Sequence, residues 1–260
     1  MKNFVLGISA FYHDSAATLI KDGEIVTAIQ EERITRVKHD ASFPTQAIIK
    51  ILEINNLKIN DIDKIVFYEK PLIKFERLLE TYFRYAPFGF SSFRKSMPIW
   101  VKEKLFQKKL IINELKKIDK KFDEKNLFFS EHHLSHAASA FFPSPFNEAV
   151  VLTIDGVGEW NTSTISIGKE NKIEIISEIN YPHSLGLLYS AFTYYLGFKV
   201  NSGEYKMMGL APYGKPKYKK LILDNLIDVK NDGSFKINQN FFDYSTGLTM
   251  INKNFVNLFN

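Results

Sequence analysis

Three of the six histidines, His132, His133 and His136, fall within one short run, and the apolar stretch that follows a Pro-Ser-Pro break ends on Asp155. His132 and His136 stand four apart, so on a helix their imidazoles share one face. Two imidazoles on one face and a carboxylate delivered from a strand end make a set of divalent-metal ligands, and this nitrogen and oxygen mixture suits iron, zinc or manganese. The competing reading of the same stretch is a polar helix start followed by a core strand. Further polar groups sit in loops. His13-Asp14-Ser15 follows the first apolar run, and Lys38-His39 in a basic loop can offer charge to a phosphate. In Asp155-Gly156-Val157-Gly158-Glu159, glycines let backbone N–H groups approach an anion. Taken singly, His13 reads as a turn cap and Lys38 as a solvated lysine. Taken together, at the mouths of similar lobes, they make nucleotide or phosphate chemistry a competitor.

The elements that must position these residues follow from periodicity. Residues 4–9, 16–20 and 24–32 read as strands, with Asp22-Gly23 as a hairpin turn. Pro44 opens a helix to about Asn55, and 62–68 is another strand. Residues 72–121, rich in Phe, Lys and Arg, read as an inserted amphipathic helical pair broken at Pro87 and Pro98, with solvated lysines. A short strand at 126–130 leads into the histidines. The pattern then restarts: strands at 149–154, 163–167 and 172–179 repeat residues 4–32 about 146 positions later. Such a duplication predicts two similar lobes, 1–147 and 148–260, with their polar loops at an intervening cleft. Residues 184–198 read as a buried aromatic helix, 203–214 as a loop and 217–226 as a helix. Asp232-Gly233 marks a turn, and 241–260 shows no strong period.

Composition limits the class. A 260-residue chain with 45% hydrophobic and 14% aromatic residues has ample material for a core. The net charge of +5 admits anionic partners such as nucleotides without indicating nucleic-acid binding. The absence of cysteine excludes disulfides, thiolate zinc sites and cysteine nucleophiles. The first residues read as a strand rather than a signal peptide, and the longest apolar segment is too short to span a bilayer, so a cytoplasmic protein without membrane partners is expected. Three motif matches fail. Gly209 to Lys215 lacks the Ser or Thr of a P-loop, since Pro216 follows. Gly156-Val157-Gly158 lacks the third glycine of a dinucleotide fingerprint. His132 to His136 lacks the glutamate that a zinc peptidase needs beside its first histidine.

GISAFYHDSAATLIKDGEIVTAIQEERITRVKHD resembles the N-terminal block of the carbamoyltransferases of the nodulation-protein-U and cephalosporin-carbamoyltransferase family. EHHLSHAASAFFPSPF, LTIDGVGEW, HSLGLLYSAFTYYLGF, GEYKMMGLAPYGKP and Tyr244-Ser245-Thr246-Gly247 continue the resemblance in family order. The resemblance implies an α/β fold of duplicated ribonuclease-H-like lobes, similar to the actin–hexokinase superfamily, with the second lobe incomplete here. It implies a reaction in which carbamoyl phosphate and ATP give carbamoyl-adenylate, whose carbamoyl group passes to a hydroxyl of a small-molecule acceptor. It implies an iron-type metal held by His132, His136 and Asp155, with a fourth ligand, an aspartate, beyond Asn260. On that basis Gly156, Val157 and Gly158 are expected to meet the adenylate phosphate, and Glu204 and Lys206 to line the nucleotide side. Lys38 and His39 are expected to stabilise negative charge. His13, positioned by Asp14, is expected to orient or deprotonate the acceptor. Family members carry a YrdC-like adenylate-forming domain after this region, to be supplied by the same chain or a partner. The alternative expectation is a non-catalytic nucleotide-binding or assembly module that needs a partner chain.

Overall fold

The computed structural model describes residues 3–101 and 105–260. It opens on an antiparallel meander of β1 (Phe4–Ser9), β2 (Ala16–Lys21) and β3 (Glu24–Gln30). The turn between β2 and β3 places Asp22 and Gly23 at φ 51° and 93°. Positive φ at both central residues gives a two-residue hairpin the twist of its strands. Next come α1 (Glu32–Thr35), α2 (Thr45–Ile54), β4 (Lys64–Phe67), α3 (Pro71–Tyr85), α4 (Phe90–Trp100), α5 (Gln107–Ile118) and β5 (Leu127–Phe129). After α6 (His132–Phe141) a second antiparallel meander runs through β6 (Glu148–Ile154), β7 (Asn161–Lys169) and β8 (Lys172–Asn180). The chain continues with α7 (Leu185–Tyr195), α8 (Glu204–Leu210), α9 (Lys219–Asn225), a hairpin of β9 (Ile227–Val229) and β10 (Phe235–Ile237), and α10 (Lys253–Phe259). The protein is thus a mixed α/β chain. Among the described residues no helix is long and apolar enough to cross a membrane.

Two compact units emerge: Met1–Leu72 with Trp100–His132, and Ile73–Ile99 with His133–Asn260. The first holds a mixed sheet in the order β3-β2-β1-β4-β5, in which β4 pairs parallel with both β1 and β5. Its core joins Leu6, Ile8, Leu19, Ile65 and Phe67 of the sheet to Ile48 and Ile51 of α2 and Ile111 and Leu115 of α5. The alternating strand pattern and the helical spacing of Ala47, Ile48, Ile51 and Leu52 aim these side chains inward. Each contributes about 1.5–3 kcal/mol on full burial. The second unit holds the three-stranded sheet β6-β7-β8 and a cluster in which Ala191, Leu226 and Ile237 meet Phe242 and Phe255.

The first strand of each meander ends in a polar loop, residues 10–15 and 155–160, and each closing turn has two residues. The register of the outer pair shifts between Leu19 and Ile20 in one and between Ile165 and Ser166 in the other. That offset, 165 minus 19, equals the 146-position repeat read in the sequence.

Several local expectations shift. β3 ends at Gln30 rather than Glu32 because Glu31 turns inward. Its carboxylate accepts the backbone N–H groups of Gln46 and Ala47 at 3.0 and 2.7 Å. These belong to the first turn of α2, where Pro44 offers no side-chain cap. Glu31 is 2% exposed, so its loss takes the acceptor from the buried Ala47 N–H and the part-buried Gln46 N–H. Glu31→Ala is expected to cost about 2 kcal/mol, read as a lower urea midpoint with an unchanged m value.

Among its described residues the segment 72–121 forms three helices, α3, α4 and α5, rather than a pair, and Pro98 lies inside α4 instead of ending a helix. Pro98 is exposed and near the helix end, where water can satisfy the carbonyl that a proline leaves unbonded. Residues 203–214 are not a loop: good helix formers in EYKMMGL build α8 from Gly203 as N-cap. α7 is less buried than its composition suggests, since Tyr189 and Tyr194 are exposed, as is Leu196 just past its end.

Candidate metal centre

α6 begins two residues after β5 and buries one stripe, His133, Ala137 and Phe141. The stripe packs on Val151 of β6 and passes so close to β7 that a Cβ on Gly168 would lie 2.6 Å from the Phe141 ring. This locks the rotation of the helix and turns positions 132 and 136 away from the stripe. His133 is committed to the interior. It is 1% exposed and its Nδ1 lies 2.7 Å from the Thr153 hydroxyl, which is 2.7 Å from that of Thr164.

Asp155 follows β6 directly. Its N–H donates to the Thr162 carbonyl at 2.9 Å, its Oδ1 accepts the Gly156 N–H at 2.7 Å, and its Oδ2 lies 3.7 Å from His136 Nε2. The Ser184 hydroxyl, 2.7 Å from the Gly156 carbonyl, pins this corner while capping α7 through the Leu187 N–H. Ligand atoms of His132, His136 and Asp155 all lie within 4.8 Å of one another. Donors about 2.0–2.2 Å from one ion stand about 3–3.5 Å apart, so small side-chain rotations suffice. Two imidazoles and one carboxylate are a donor set for iron, zinc or manganese, and the residues present fit such an ion.

Sequence reasoning missed Glu69. This carboxylate, 1% exposed just past the end of β4, has its Oε2 3.8 Å from His132 Nδ1, and the Tyr68 ring flanks the same imidazole at 5.4 Å. A buried carboxylate behind a candidate ligand histidine is the arrangement that fixes ring orientation and raises ligand basicity. The only signal was a charged residue where an apolar strand stops.

A second group assembles in the first unit. Asp14 Oδ2 lies 2.8 Å from His13 Nδ1 and Asp14 Oδ1 lies 3.0 Å from His39 Nδ1, so one carboxylate serves two imidazoles. Burial alone would raise the Asp14 carboxyl, but hydrogen bonds from His39 and His13, with their charge, hold it below the usual range. Lys38 is exposed on the same loop as His39.

The remaining residues are placed differently. Gly156 N–H bonds the Asp155 carboxylate and Gly158 N–H donates to the Asn161 carbonyl at 2.9 Å, so two of the three amides of Gly156, Val157 and Gly158 are used within the chain. The Gly158 carbonyl accepts from the buried Arg77 guanidinium at 2.7 Å. Glu204 folds back on its own helix start, accepting from Asn201 N–H, Gly203 N–H and the Ser190 hydroxyl. Burial pushes its carboxyl up, and these bonds outweigh that and lower it. Lys206 is exposed beside the Tyr205 ring.

The chain is 61% identical over 257 residues to the uncharacterized protein sll1178 of Synechocystis sp., covering 98% of this chain and 42% of that protein. It is 33% identical to nodulation protein NolNO of Sinorhizobium fredii, covering 88% and 32%. It is 31% identical to the uncharacterized protein MJ1058 of Methanocaldococcus jannaschii, covering 82% and 42%. The chain therefore spans less than half the length of these relatives. A family profile described as Carbamoyltransferase N-terminus matches residues 4–260, and with the histidine helix and aspartate corner in place the chain belongs to that carbamoyltransferase family.

Proposed function

We propose that this chain is the transfer part of an O-carbamoyltransferase, which moves a carbamoyl group from carbamoyl-adenylate, made from carbamoyl phosphate and ATP, to a hydroxyl of a small-molecule acceptor. The observation that carries it is the grouping of His132, His136 and Asp155 in a chain of this family. These three residues would hold a divalent ion, iron above zinc or manganese, which when bound supplies a Lewis acid for phosphate oxygens.

The other residues handle the acceptor and the leaving group. With Asp14 taking the Nδ1–H of His13, the His13 Nε2 carries the lone pair and can accept the acceptor's hydroxyl proton. The hydroxyl oxygen then bonds to the carbamoyl carbon, the carbon–oxygen bond to the phosphate breaks, and AMP leaves with the electron pair. Lys38 and His39 would stabilise charge on the phosphate, and Val157 would carry the donor role of the glycine loop. Glu204, with Lys206, would support the nucleotide side indirectly, by holding the start of α8.

The two lobes, 1–147 with its helical insert and 148–260, are read as ribonuclease-H-like members of the actin–hexokinase superfamily, the second incomplete. Two facts support the incompleteness. Among the described residues β1 is paired on both edges whereas β6 is a sheet edge, and Val150, Leu152 and Ile154 of β6 are exposed on one face beside Ile165 and Ile167. Bare apolar edge strands are avoided in finished folds, which favours a further segment, with a YrdC-like domain, on this chain or a partner.

The test is incubation of the full-length protein with carbamoyl phosphate, ATP and a panel of hydroxylated acceptors. AMP and a carbamoylated product are expected, with His13→Ala lowering kcat by about 10²–10⁴-fold. Formation of neither adenylate nor product overturns the proposal.

A further inference from the structure

We propose that Glu32 is the positioning residue that holds His39 on Asp14, so that one carboxylate fixes two imidazoles with both Nε2 atoms turned outward. The inference deepens the transfer reading above and rests on it for the use of those Nε2 atoms. The Glu32 Oε2 accepts the backbone N–H of His39 at 2.9 Å. Between these residues the chain bends sharply, with Arg36 and His39 in the left-handed region at φ 60° and 57°. Such a conformation costs free energy for a non-glycine residue and persists only where neighbours impose it.

The far side of the segment is strapped to the His13 loop. The Asp40 and Ala41 carbonyls accept the N–H groups of Ser15 and Phe11 at 2.8 and 2.9 Å. Asp40 itself is braced by Thr35 and Ser42 hydroxyls at 2.8 and 2.6 Å. Asp14 is thereby fixed in place, itself at φ 47°. The one anchor on the backbone N–H of His39 is Glu32, whose other oxygen, Oε1, faces Arg33 across 4.0 Å. An imidazole that gives Nδ1–H to a carboxylate is set in the tautomer whose Nε2 accepts a proton. Two such rings would give the site a base for the acceptor hydroxyl and a second proton carrier beside the leaving phosphate.

The ligand atoms of Asp14, Glu32 and His39 also lie within 4.8 Å of one another, so the test must separate positioning from cation binding. Long-range proton–nitrogen NMR of the histidine rings in this chain needs no substrate, so a failed transfer assay and a failure here are separate results. The Nδ1–H tautomer is expected for His13 and His39 in the wild type and in Glu32→Gln, whose amide oxygen can still accept the N–H. In Glu32→Ala, and in Glu32→Asp, which keeps the charge but shortens the reach, His39 is expected to lose that tautomer while His13 retains it. An unchanged His39 in folded Glu32→Asp or Glu32→Ala overturns the proposal. So does its loss in folded Glu32→Gln. Broadening of His39 by Mn²⁺ that survives His132→Ala and vanishes in Glu32→Ala would instead make the cluster a cation site.

Discussion

His136→Ala is expected to abolish divalent-ion binding at the proposed centre and His133→Ala to preserve it, although the two positions are three residues apart on α6. His136 contributes one donor of three, and deleting it is expected to weaken metal binding by more than about 10²-fold, since even an outer-shell partner is worth 10–100-fold. The His136 ring is half exposed at 51%, so little packing is lost and the melting temperature without metal should barely move. His133 has the opposite profile. Its removal empties a buried site and takes the imidazole partner from the buried Thr153 hydroxyl, at a cost of about 3 kcal/mol. Inductively coupled plasma analysis and thermal melts of both variants, with His132→Ala as a second ligand deletion, separate the two effects. Equal, near-zero metal in wild type and all variants would sink the metal centre.

Gly186→Ala is expected to damage the same centre from behind. A Cβ on Gly186 would stand 2.4 Å from the Asp155 carbonyl oxygen and 2.5 Å from the Gly156 nitrogen. Both are backbone atoms, so no side chain can swing aside, and either α7 or the Asp155 corner must move. Overpacking of this kind costs about 1–3 kcal/mol, and displacement of Asp155 should lower metal affinity as well. Gly209→Ala is the control: nothing lies within 4 Å of its Cβ, and within α8 alanine gains about 0.5–1 kcal/mol over glycine. A melting curve for Gly186→Ala that matches wild type, with metal retained, would refute the argument.

Much of the organisation was legible in advance. Strand and hairpin positions in both meanders follow from alternation and from Asp22-Gly23, because a two-residue period and a turn needing positive φ are local properties. What failed locally was decided by packing or solvent. Pro98 stays within a helix because it and Arg94, whose carbonyl it leaves unbonded, are exposed to water, and 203–214 is helical although its Gly and Pro residues read as a loop.

At the site, the spacing of His132, His136 and Asp155 fixed which residues could be ligands and predicted that the two histidines share a face. It could not say which neighbour of those ligands is structural. The burial of His133 on Thr153 depends on the rotation of α6, which is set by Phe141 against Gly168, residues distant in sequence. Nor could it supply Glu69, Glu31 or Glu32, whose partners lie 7 to 63 positions away. By itself the sequence determined the strands of both meanders, their repeat and the candidate donor types, since these rest on short-range periodicity and side-chain chemistry. Only the tertiary structure decided which carboxylate meets which imidazole, because that depends on how the loops and helices pack, which no local pattern encodes.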